Sequence, residues 1–409
     1  MKKTGEEILL QEAREKVSQC DRCGACLPVC PLFGVREVEA ASARGKNALV
    51  RALTDGGLEP TADLLARVDF CLLCRACVET CPNKVGTDAA MIDVRQYLRD
   101  RMGCWSAKEA ALAGLLKSRG LVKLTAAMLS LLRRFGLNDL LPRGLVPDEQ
   151  TREHFLTAFA GPAALGQRVP SSAMATVAAT ARVAYFKGCG MRMLFPAASA
   201  ETFRILQAAT PVLRKDNPCC GLPHLAHGRR SAFLALARQN IALYENADVV
   251  VSDCASCSGT LKHISSYFAG DPLWQERAAA FSRKVLDLTE YLVNIGYRPR
   301  RQVDAPVTYH DPCHLARGQG ITQPPRDLLE ATGRFIEMKD AATCCGGAGA
   351  FHLEYPVISS RILEKKRANI ERTGAAVVVT ACPGCLIQLV KAAQASGGKF
   401  RAMHISQII

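Results

Sequence analysis

The sequence predicts an α+β protein of several domains, in which a helical N-terminal domain precedes two duplicated α/β domains. Three observations lead to this prediction. Two cysteine runs with identical spacing lie within the first hundred residues, a second cysteine pattern occurs twice in the C-terminal half, and short β-rich runs alternate with helix-like stretches around that second pattern. A length of 409 residues suits two or three domains of ordinary size.

The composition excludes several other classes of protein. The chain is 49% hydrophobic and 22% charged, close to globular averages, which argues against a disordered, collagen-like or coiled-coil protein. Its 19 cysteines are too many for an ordinary enzyme and too few for a small disulfide scaffold. A net charge of +14 suits nucleic acid, anionic lipid or an acidic protein partner.

The N-terminus and the apolar segments predict a cytoplasmic protein. The first 17 residues are polar and partly acidic, without the apolar segment of a secretory signal. The longest uncharged stretch, 373–390, contains Cys382, Pro383 and Gly384, which argues against a spanning helix. Because the cytoplasm is reducing, we expect the cysteines to bind metal or to carry out redox chemistry rather than to form disulfides.

The two N-terminal cysteine runs both read C-x2-C-x2-C-x3-C-P, the bacterial ferredoxin pattern for cubane [4Fe–4S] clusters. In that pattern three cysteines of one run share a cluster with the fourth cysteine of the other run. The predicted ligands of one cluster are Cys20, Cys23, Cys26 and Cys81. Those of the other cluster are Cys71, Cys74, Cys77 and Cys30. Two zinc sites are the alternative, but zinc favours paired C-x2-C units over triple runs.

A helical segment with positive charges connects these runs. It includes 40–53, where Arg44 and Lys46 could neutralise the anionic clusters. We place this helical two-cluster ferredoxin domain at residues 1–100.

Ten further cysteines form an internal duplication. The first copy contains Cys189, Cys219, Cys220, Cys254 and Cys257. The second copy contains Cys313, Cys344, Cys345, Cys382 and Cys385. The spacings within the two copies are nearly equal, and Gly221 or Gly346 follows the adjacent pair in each. We place the two cysteine-rich domains at 181–300 and 301–409.

Each copy reads as a parallel α/β unit. Strands are predicted at 183–186 and 307–310, each leading into the first cysteine, and at 247–254 and 375–382, each delivering a C-x2-C pair. Helices are predicted at 229–246 and 357–373, ahead of the second strand of each copy. Because ligands gather at strand ends in such units, we expect the five cysteines of a copy to lie together.

The adjacent Cys-Cys pairs favour a cluster over a single ion. Neighbouring side chains cannot easily bind one small tetrahedral ion, whereas a multi-iron core offers several metal atoms. A zinc site with a spare thiol remains the alternative for each copy. The glycines after Cys345 would let the backbone approach the inorganic core, and no nucleotide-binding fingerprint is present.

One cysteine and several histidines fall outside this scheme. No other cysteine lies at a motif spacing from Cys104, which we interpret as a small buried thiol. The histidines near the ligand loops are His224, His227, His310, His314 and His352. We interpret them as structural residues, while two alternatives stay open: hydrogen bonding to cluster sulfur, or spare ligation by His310 and His314.

The two halves are joined by a basic connector at 101–180. Eight lysines and arginines are interleaved with leucines in 101–145, as in an amphipathic helix that lies on an anionic membrane, on a partner or on the ferredoxin domain. The stretch 160–181, rich in Ala, Gly, Pro and Ser, reads as a linker. Paired zinc modules that bind nucleic acid are a disfavoured alternative, because the triple cysteine runs do not suit zinc.

The order of these motifs resembles that of the glycolate oxidase iron–sulfur subunits. The wider group includes lactate-oxidation iron–sulfur proteins and the catalytic subunits of heterodisulfide reductases, which share the cysteine-rich CCG domain. The resemblance covers nearly the whole chain. It rests on the two ferredoxin runs, 219–221, 254–257, 310–314, 344–349 and 382–385.

The resemblance implies an electron relay. A separate FAD-containing dehydrogenase would oxidise a 2-hydroxy acid such as glycolate or lactate, and this chain would pass the electrons through its clusters toward a membrane quinone or another carrier. The resemblance also implies a position in the cytoplasm, peripheral to the membrane. Since the sequence contains no nucleotide-binding fingerprint, substrate oxidation is expected on another chain.

One departure from the pattern keeps a second function open. Glycolate oxidase subunits often lack one cysteine in one copy, whereas both copies here contain all five. Heterodisulfide reductases resemble this chain in that respect, and their complete sets hold noncubane [4Fe–4S] clusters at which a disulfide is reduced. The alternative is therefore a catalytic subunit of that kind.

Overall fold

The computed structural model describes residues 5–103, 111, 114–115, 118–134, 181–299 and 302–409. The N-terminal part is helical, and its helices are α1 (Gly5–Val17), α2 (Phe33–Arg36), α3 (Ala43–Thr54), α4 (Ala62–Asp69), α5 (Ala76–Thr80) and α6 (Thr87–Met102). Ser42 and Thr61 cap the N-termini of α3 and α4 by accepting backbone hydrogen bonds. The apolar faces of α1, α3, α4 and α6 form one core that includes Val17, Val50 and Leu98. The first ferredoxin run lies in the loop between α1 and α2, and the second begins in the loop after α4 and continues through α5.

The first cysteine-rich copy contains a four-stranded parallel sheet with the order β2-β1-β3-β4. Its strands are β1 (Val183–Phe186), β2 (Val212–Leu213), β3 (Val249–Ser252) and β4 (Val285–Asp287). Its helices are α8 (Cys189–Leu194), α9 (Pro196–Ala209), α10 (Leu222–Ala226), α11 (Arg230–Leu243), α12 (Ala255–Lys262), α13 (Gln275–Lys284) and α14 (Leu288–Asn294).

The second copy repeats this topology with a three-stranded parallel sheet, β5-β6-β7. Its strands are β5 (Val307–Tyr309), β6 (Val377–Thr380) and β7 (Arg401–His404). Its helices are α15 (Cys313–Gln319), α16 (Gln323–Glu330), α17 (Phe351–Glu354), α18 (Pro356–Thr373) and α19 (Pro383–Ala395). A single parallel bridge from Val307 to Phe335 stands where β2 pairs with β1 in the first copy.

The predicted fold class is confirmed by this arrangement. The strands predicted around residues 183, 250, 307 and 378 are present, and the helices predicted before β3 and β6 correspond to α11 and α18. The central strand pair has the same register in both copies, because Val183 pairs with Val249 as Val307 pairs with Val377.

The connector is described only in part. Helix α7 (Arg119–Arg134) packs against α8 of the first copy, where Val122 is buried and Lys123 forms a 2.6 Å ion pair with Asp216. Leu124 and Met128 of α7 are exposed. Cys104, most of the remaining connector and nearly all of the predicted linker lie outside the described residues. Within the described ranges, no helix combines the length and the apolar character that crossing a membrane requires.

The helical domain packs against both cysteine-rich copies. Phe70 contacts Phe351 and Tyr355 of the second copy, with ring centroids 5.7 and 5.2 Å away. On the other side, Arg95 of α6 donates a 2.6 Å hydrogen bond to the carbonyl of Ala226 in the first copy. The second ferredoxin run, which begins directly after Phe70, therefore lies beside the second cysteine-rich copy.

Candidate iron–sulfur centres

The eight ferredoxin-run cysteines lie around two cavities. Site 1 is defined by Cys20, Cys23, Cys26 and Cys81, which line one cavity together with Cys77. Site 2 is defined by Cys30, Cys71, Cys74 and Cys77, which line the other. Each cavity thus brings three cysteines of one run to the fourth cysteine of the other run, the arrangement expected of a two-cluster ferredoxin. The assignment of each thiol to a cluster stays a prediction.

The backbone of both loops adopts the same unusual conformation. Arg22 and Gly24 in the first loop have positive φ angles of 58° and 87°, and Leu73 and Arg75 at the matching positions have 51° and 62°. Non-glycine residues rarely adopt this conformation, and such strain is retained mainly where function requires it. Alternation of left- and right-handed residues makes a concave nest of backbone N–H groups, which suits an anionic cluster.

Buried positive charges surround site 2. Lys46 is 1% exposed and donates to the carbonyl of Ala41 at 2.5 Å. Burial lowers the pKa of Lys46, while the nearby thiols of Cys71 and Cys30 oppose this effect. Arg95 donates to the carbonyl of Cys71 at 2.8 Å, and Arg51 donates to that of Cys20 at 2.9 Å, so an arginine holds the start of each loop.

Site 3 is the cluster of five thiols in the first copy, from Cys189, Cys219, Cys220, Cys254 and Cys257. Cys189 and Cys219 lie with their Sγ atoms 3.6 Å apart. Cys220 has a pKa lowered to about 5, because it accepts hydrogen bonds from the thiols of Cys219 and Cys257. The C-x2-C pair lies at the N-terminus of α12. The neighbouring thiol of Cys220 and burial raise the pKa of Cys257 well above its ordinary value. Gly188 leaves room for the thiols, because a Cβ there would lie 3.1 Å from the Sγ of Cys257.

Site 4 is the corresponding cluster in the second copy, from Cys313, Cys344, Cys345, Cys382 and Cys385. The pKa of Cys345 lies well below its ordinary value, because it accepts hydrogen bonds from Cys344 and Cys385. The second C-x2-C pair lies at the N-terminus of α19, as its counterpart does on α12. The amide of Gly346 donates to the Sγ of Cys344 at 3.3 Å, matching the contact of Gly221 with Cys219 at 3.5 Å.

The sites are not isolated from one another. The thiol of Cys74 in site 2 lies beside that of Cys344 in site 4, close enough for each to shift the pKa of the other. The thiol of Cys382 in site 4 in turn lies beside that of Cys254 in site 3, with the same mutual effect. A backbone hydrogen bond of 2.9 Å from Ala255 to the carbonyl of Ala381 fixes this second junction. Cys77 lines the cavities of both site 1 and site 2. The thiols therefore form one continuous array in the order site 1, site 2, site 4, site 3.

The histidines near the ligand loops differ in their surroundings. His314 is hydrogen-bonded through Nδ1 to Ser256 at 2.9 Å, and the same hydroxyl lies 3.3 Å from the Sγ of Cys382. His352 contacts the carbonyl of Gly347 at 3.4 Å. These two agree with a structural interpretation. His310 does not, because neither ring nitrogen has a hydrogen-bond partner of ordinary geometry in the described part of the chain. Burial lowers the pKa of His310 to about 3, so the ring is neutral at neutral pH.

Two charged residues at these sites were not identified from the sequence. Lys366 on α18 is fully buried beside site 4 and donates to the carbonyl of Ala341 at 2.9 Å. It lies in an apolar helical stripe between Ile362 and Ile370, an unusual place for a lysine that could have indicated it. Arg317 ion-pairs with Glu79 at 2.9 Å next to Cys74, a contact between residues 238 positions apart that no local pattern predicts.

The residues present fit iron–sulfur clusters. All 18 cysteines in the described ranges are free, and those of sites 3 and 4 are buried or half-buried in contact with one another. Burying five thiols together without disulfides leaves them without strong partners, whereas several metal atoms could bind all of them. The strained nests at sites 1 and 2 and the buried lysines beside sites 2 and 4 suit anionic groups as well.

Comparison with known proteins agrees with this interpretation. A model of the 4Fe-4S dicluster domain matches residues 16–85, and a model of the cysteine-rich CCG domain matches 183–262 and 307–390. The chain therefore carries several [4Fe–4S] clusters.

Individual relatives extend the match over the whole chain. The probable glycolate oxidase iron-sulfur subunit of Bacillus subtilis is 31% identical over all of this chain and 97% of the relative. Lactate utilization protein A of Halalkalibacterium halodurans is 30% identical over 56% of this chain and 96% of the relative. A fumarate reductase (CoM/CoB) subunit of Methanothermobacter marburgensis is 24% identical over 97% of this chain and 72% of the relative. The chain thus belongs to the family of the glycolate oxidase iron–sulfur subunits, in which a dicluster ferredoxin domain precedes two CCG domains.

Proposed function

We propose that the chain is the iron–sulfur electron-transfer subunit of a flavin-dependent 2-hydroxyacid dehydrogenase complex that oxidises glycolate or lactate. The observation that carries this proposal is the continuous array of thiols, in which Cys74 contacts Cys344 and Cys382 contacts Cys254. Clusters bound at these cysteines supply one-electron transfer. Because electron tunnelling slows steeply with distance, direct contact between ligands of successive sites keeps the sites close enough for fast transfer.

The protein part of the relay positions the thiols and adjusts their electrostatics. Each C-x2-C pair is held at the N-terminus of a helix that follows a buried strand, so the junction between sites 3 and 4 is fixed by two sheets rather than by loops alone. Lys46 and Lys366 place buried positive charge beside sites 2 and 4. At the other end of the array, Cys23 of site 1 is exposed, which leaves site 1 accessible to a partner.

The proposed partners are an FAD-containing dehydrogenase subunit and a membrane quinone or another electron carrier. Their supporting observations are the names of the relatives and the lack of a nucleotide-binding fingerprint in this sequence. We further propose that the chain works on the cytoplasmic face of the membrane. The exposed Leu124 and Met128 on α7, next to Lys123, support a peripheral contact there.

The test is anaerobic purification of the chain together with its neighbours. We expect a flavoprotein to co-purify, iron rather than zinc to be bound, and glycolate or L-lactate to produce cubane-type EPR signals. Cys344→Ala should leave the EPR signals of sites 1 and 2 reducible while slowing electron delivery to sites 3 and 4. Protein that contains zinc alone, or that lacks any flavoprotein partner, would contradict the proposal.

A second candidate function is reduction of a disulfide at a noncubane [4Fe–4S] cluster. It is favoured by the complete set of five cysteines in both copies and by the relative named as a fumarate reductase (CoM/CoB) subunit. With an artificial electron donor, the isolated chain would then cleave a disulfide, and Cys345→Ala or Cys220→Ala would abolish that turnover. If these changes only slow electron flow from the flavoprotein, the relay is the better account.

A further inference from the structure

His310 is a buried polar residue for which the fold supplies no ordinary partner. The residue is 1% exposed and follows β5 directly, and its main-chain amide donates to the carbonyl of Val379 at 2.9 Å. This bond fixes the residue beside β6. Among the described residues the ring interacts only weakly, with the carbonyl of Ala341. Because an unpaired buried imidazole costs free energy, its retention at this position requires a reason.

The ring points at the thiols of site 4. A ring nitrogen of His310 and the Sγ atoms of Cys345 and Cys385 all lie within 4.8 Å of one another, and all three residues are buried. A neutral imidazole is a common metal ligand, and it binds the same transition metals that thiolates bind. Three potential ligand atoms therefore converge from β5, from the adjacent cysteine pair and from α19.

The first copy has an apolar residue at the position of His310. Phe186 and His310 stand three residues before the first cysteine of their copies and three residues after Val183 and Val307, which hold the same register in the two sheets. Phe186 is fully buried and packs in the apolar core of the first copy. A phenyl ring thus stands in the first copy at the position of the imidazole in the second copy, although the five cysteines of the two copies correspond.

We propose that His310 is a nitrogen ligand of the metal centre at site 4, whereas the centre at site 3 has thiolate ligands only. This ligation depends on the proposed function, because it requires an iron–sulfur cluster at site 4. The Ala341 carbonyl lies near the ring and can accept a ring N–H, as carbonyls do for metal-bound histidines. The imidazole then occupies a coordination position that a thiolate occupies at site 3, and one of the five thiols of site 4 is not a ligand. Because a neutral imidazole in place of an anionic thiolate raises a cluster's reduction potential, two otherwise similar copies acquire different potentials.

Pulsed EPR of the anaerobically prepared full chain tests this ligation. With ¹⁵N-labelled histidine, we expect one strongly coupled nitrogen with the isotope-dependent frequency of a bound imidazole. His310→Cys should remove this coupling, retain iron and lower the potential of one centre. His310→Phe, which copies the first repeat, should remove the coupling too and serves if the cysteine variant does not fold. The control His352→Gln alters another buried histidine of the same copy and should leave the coupling intact.

The outcomes separate this inference from the proposed function. A full iron content with no strongly coupled nitrogen, or with a coupling that survives His310→Cys, overturns the ligation by His310 and leaves the relay standing. A chain without iron overturns the proposed function itself. Loss of the coupling in both His310 variants, with the signal of His352→Gln unchanged, establishes the ligand.

Discussion

Two lysines decide much of the electrostatics of the thiol array. Lys46 and Lys366 are both less than 2% exposed, and each donates to backbone carbonyls beside a cysteine site. A lysine without a carboxylate partner is expensive to bury, and its charge is expected to be balanced by something anionic nearby. Burial lowers the pKa of Lys366 to about 8, with the thiols of Cys345 and Cys344 opposing that change. Thiolate-bound clusters at sites 2 and 4 are anions of the required kind.

Removing the charge of Lys46 should make site 2 harder to reduce. In Lys46→Met we expect the midpoint potential of one cubane cluster to fall by roughly 100 mV, because a unit charge about 7 Å away contributes about 2 kcal/mol at an effective dielectric constant near 20 and about 1.4 kcal/mol corresponds to 59 mV. Redox titration monitored by EPR measures the shift. Lys46→Arg, which keeps the charge, and Lys84→Met, which removes an exposed lysine, should both leave the potential nearly unchanged. Equal shifts in Lys46→Met and Lys46→Arg would show that packing, not charge, sets the potential.

At the scale of elements, the sequence predicts the strands and helices that have a local pattern. It does not predict contacts between residues that are far apart in the chain. The strands β1, β3, β5 and β6 were predicted because each is an apolar run next to a cysteine motif. Strand β2 has two residues and its counterpart in the second copy is one bridge at Phe335, too short for any periodicity to reveal. Likewise the spacing predicts which thiols share a loop, but the contact of Cys74 with Cys344 depends on how α5 docks on the second copy.

The start of α14 gives the first copy a pH-dependent contribution to stability. Asp287 ends β4, is fully buried, and accepts hydrogen bonds from the amide and the hydroxyl of Thr289 at 2.9 and 2.7 Å. Burial raises its pKa from 3.8 to about 6, with the Thr289 hydrogen bonds opposing this. A carboxyl group with a raised pKa in the folded state stabilises the fold below its unfolded pKa, and this contribution is lost as pH rises through about 6.

Asp287→Asn should therefore remove this pH-dependent loss of stability, while the asparagine side chain still caps the N-terminus of α14. Relative to the parent chain, we expect the variant to gain about 1.4 kcal/mol between pH 5 and pH 7.5, since each pH unit below the folded pKa contributes about 1.4 kcal/mol and about one unit of this range lies below it. The measurement is the difference in Tm between variant and parent at the two pH values. Asp304→Asn, at an exposed position, should show no such difference. An Asp287→Asn variant whose Tm follows the parent at both pH values would contradict the assigned role of burial.

At the scale of the whole molecule, the helical domain is held between the two copies by chemically different contacts. Toward the second copy the interface is apolar, with Phe70 against Phe351 and Tyr355. Toward the first copy it is a close backbone approach, because Arg95 reaches the carbonyl of Ala226 while Gly228 lies against α6. Arg95 also holds the carbonyl of Cys71 at 2.8 Å, so the position of site 2 depends on how α6 sits on the first copy.

Gly228 is the residue at which this docking is most sensitive. Its φ angle is +76°, and a Cβ there would lie 2.6 Å from the backbone nitrogen of Gln96 and 2.7 Å from its Cα. In Gly228→Ala we expect a loss of roughly 2–4 kcal/mol, from left-handed backbone strain and from overpacking against backbone that cannot yield locally. Because α6 carries the second ferredoxin loop with it, electron transfer from site 2 to site 4 should also slow.

The control Gly270→Ala has a similar φ of +80° with no atom within 4 Å, so it should cost only about 1 kcal/mol and leave the rate unchanged. Thermal unfolding measures the loss of stability, and stopped-flow reduction of the cluster-loaded protein measures the rate of electron transfer. Equal stability and equal rates in the two variants would mean that the close approach of α6 does not position site 2.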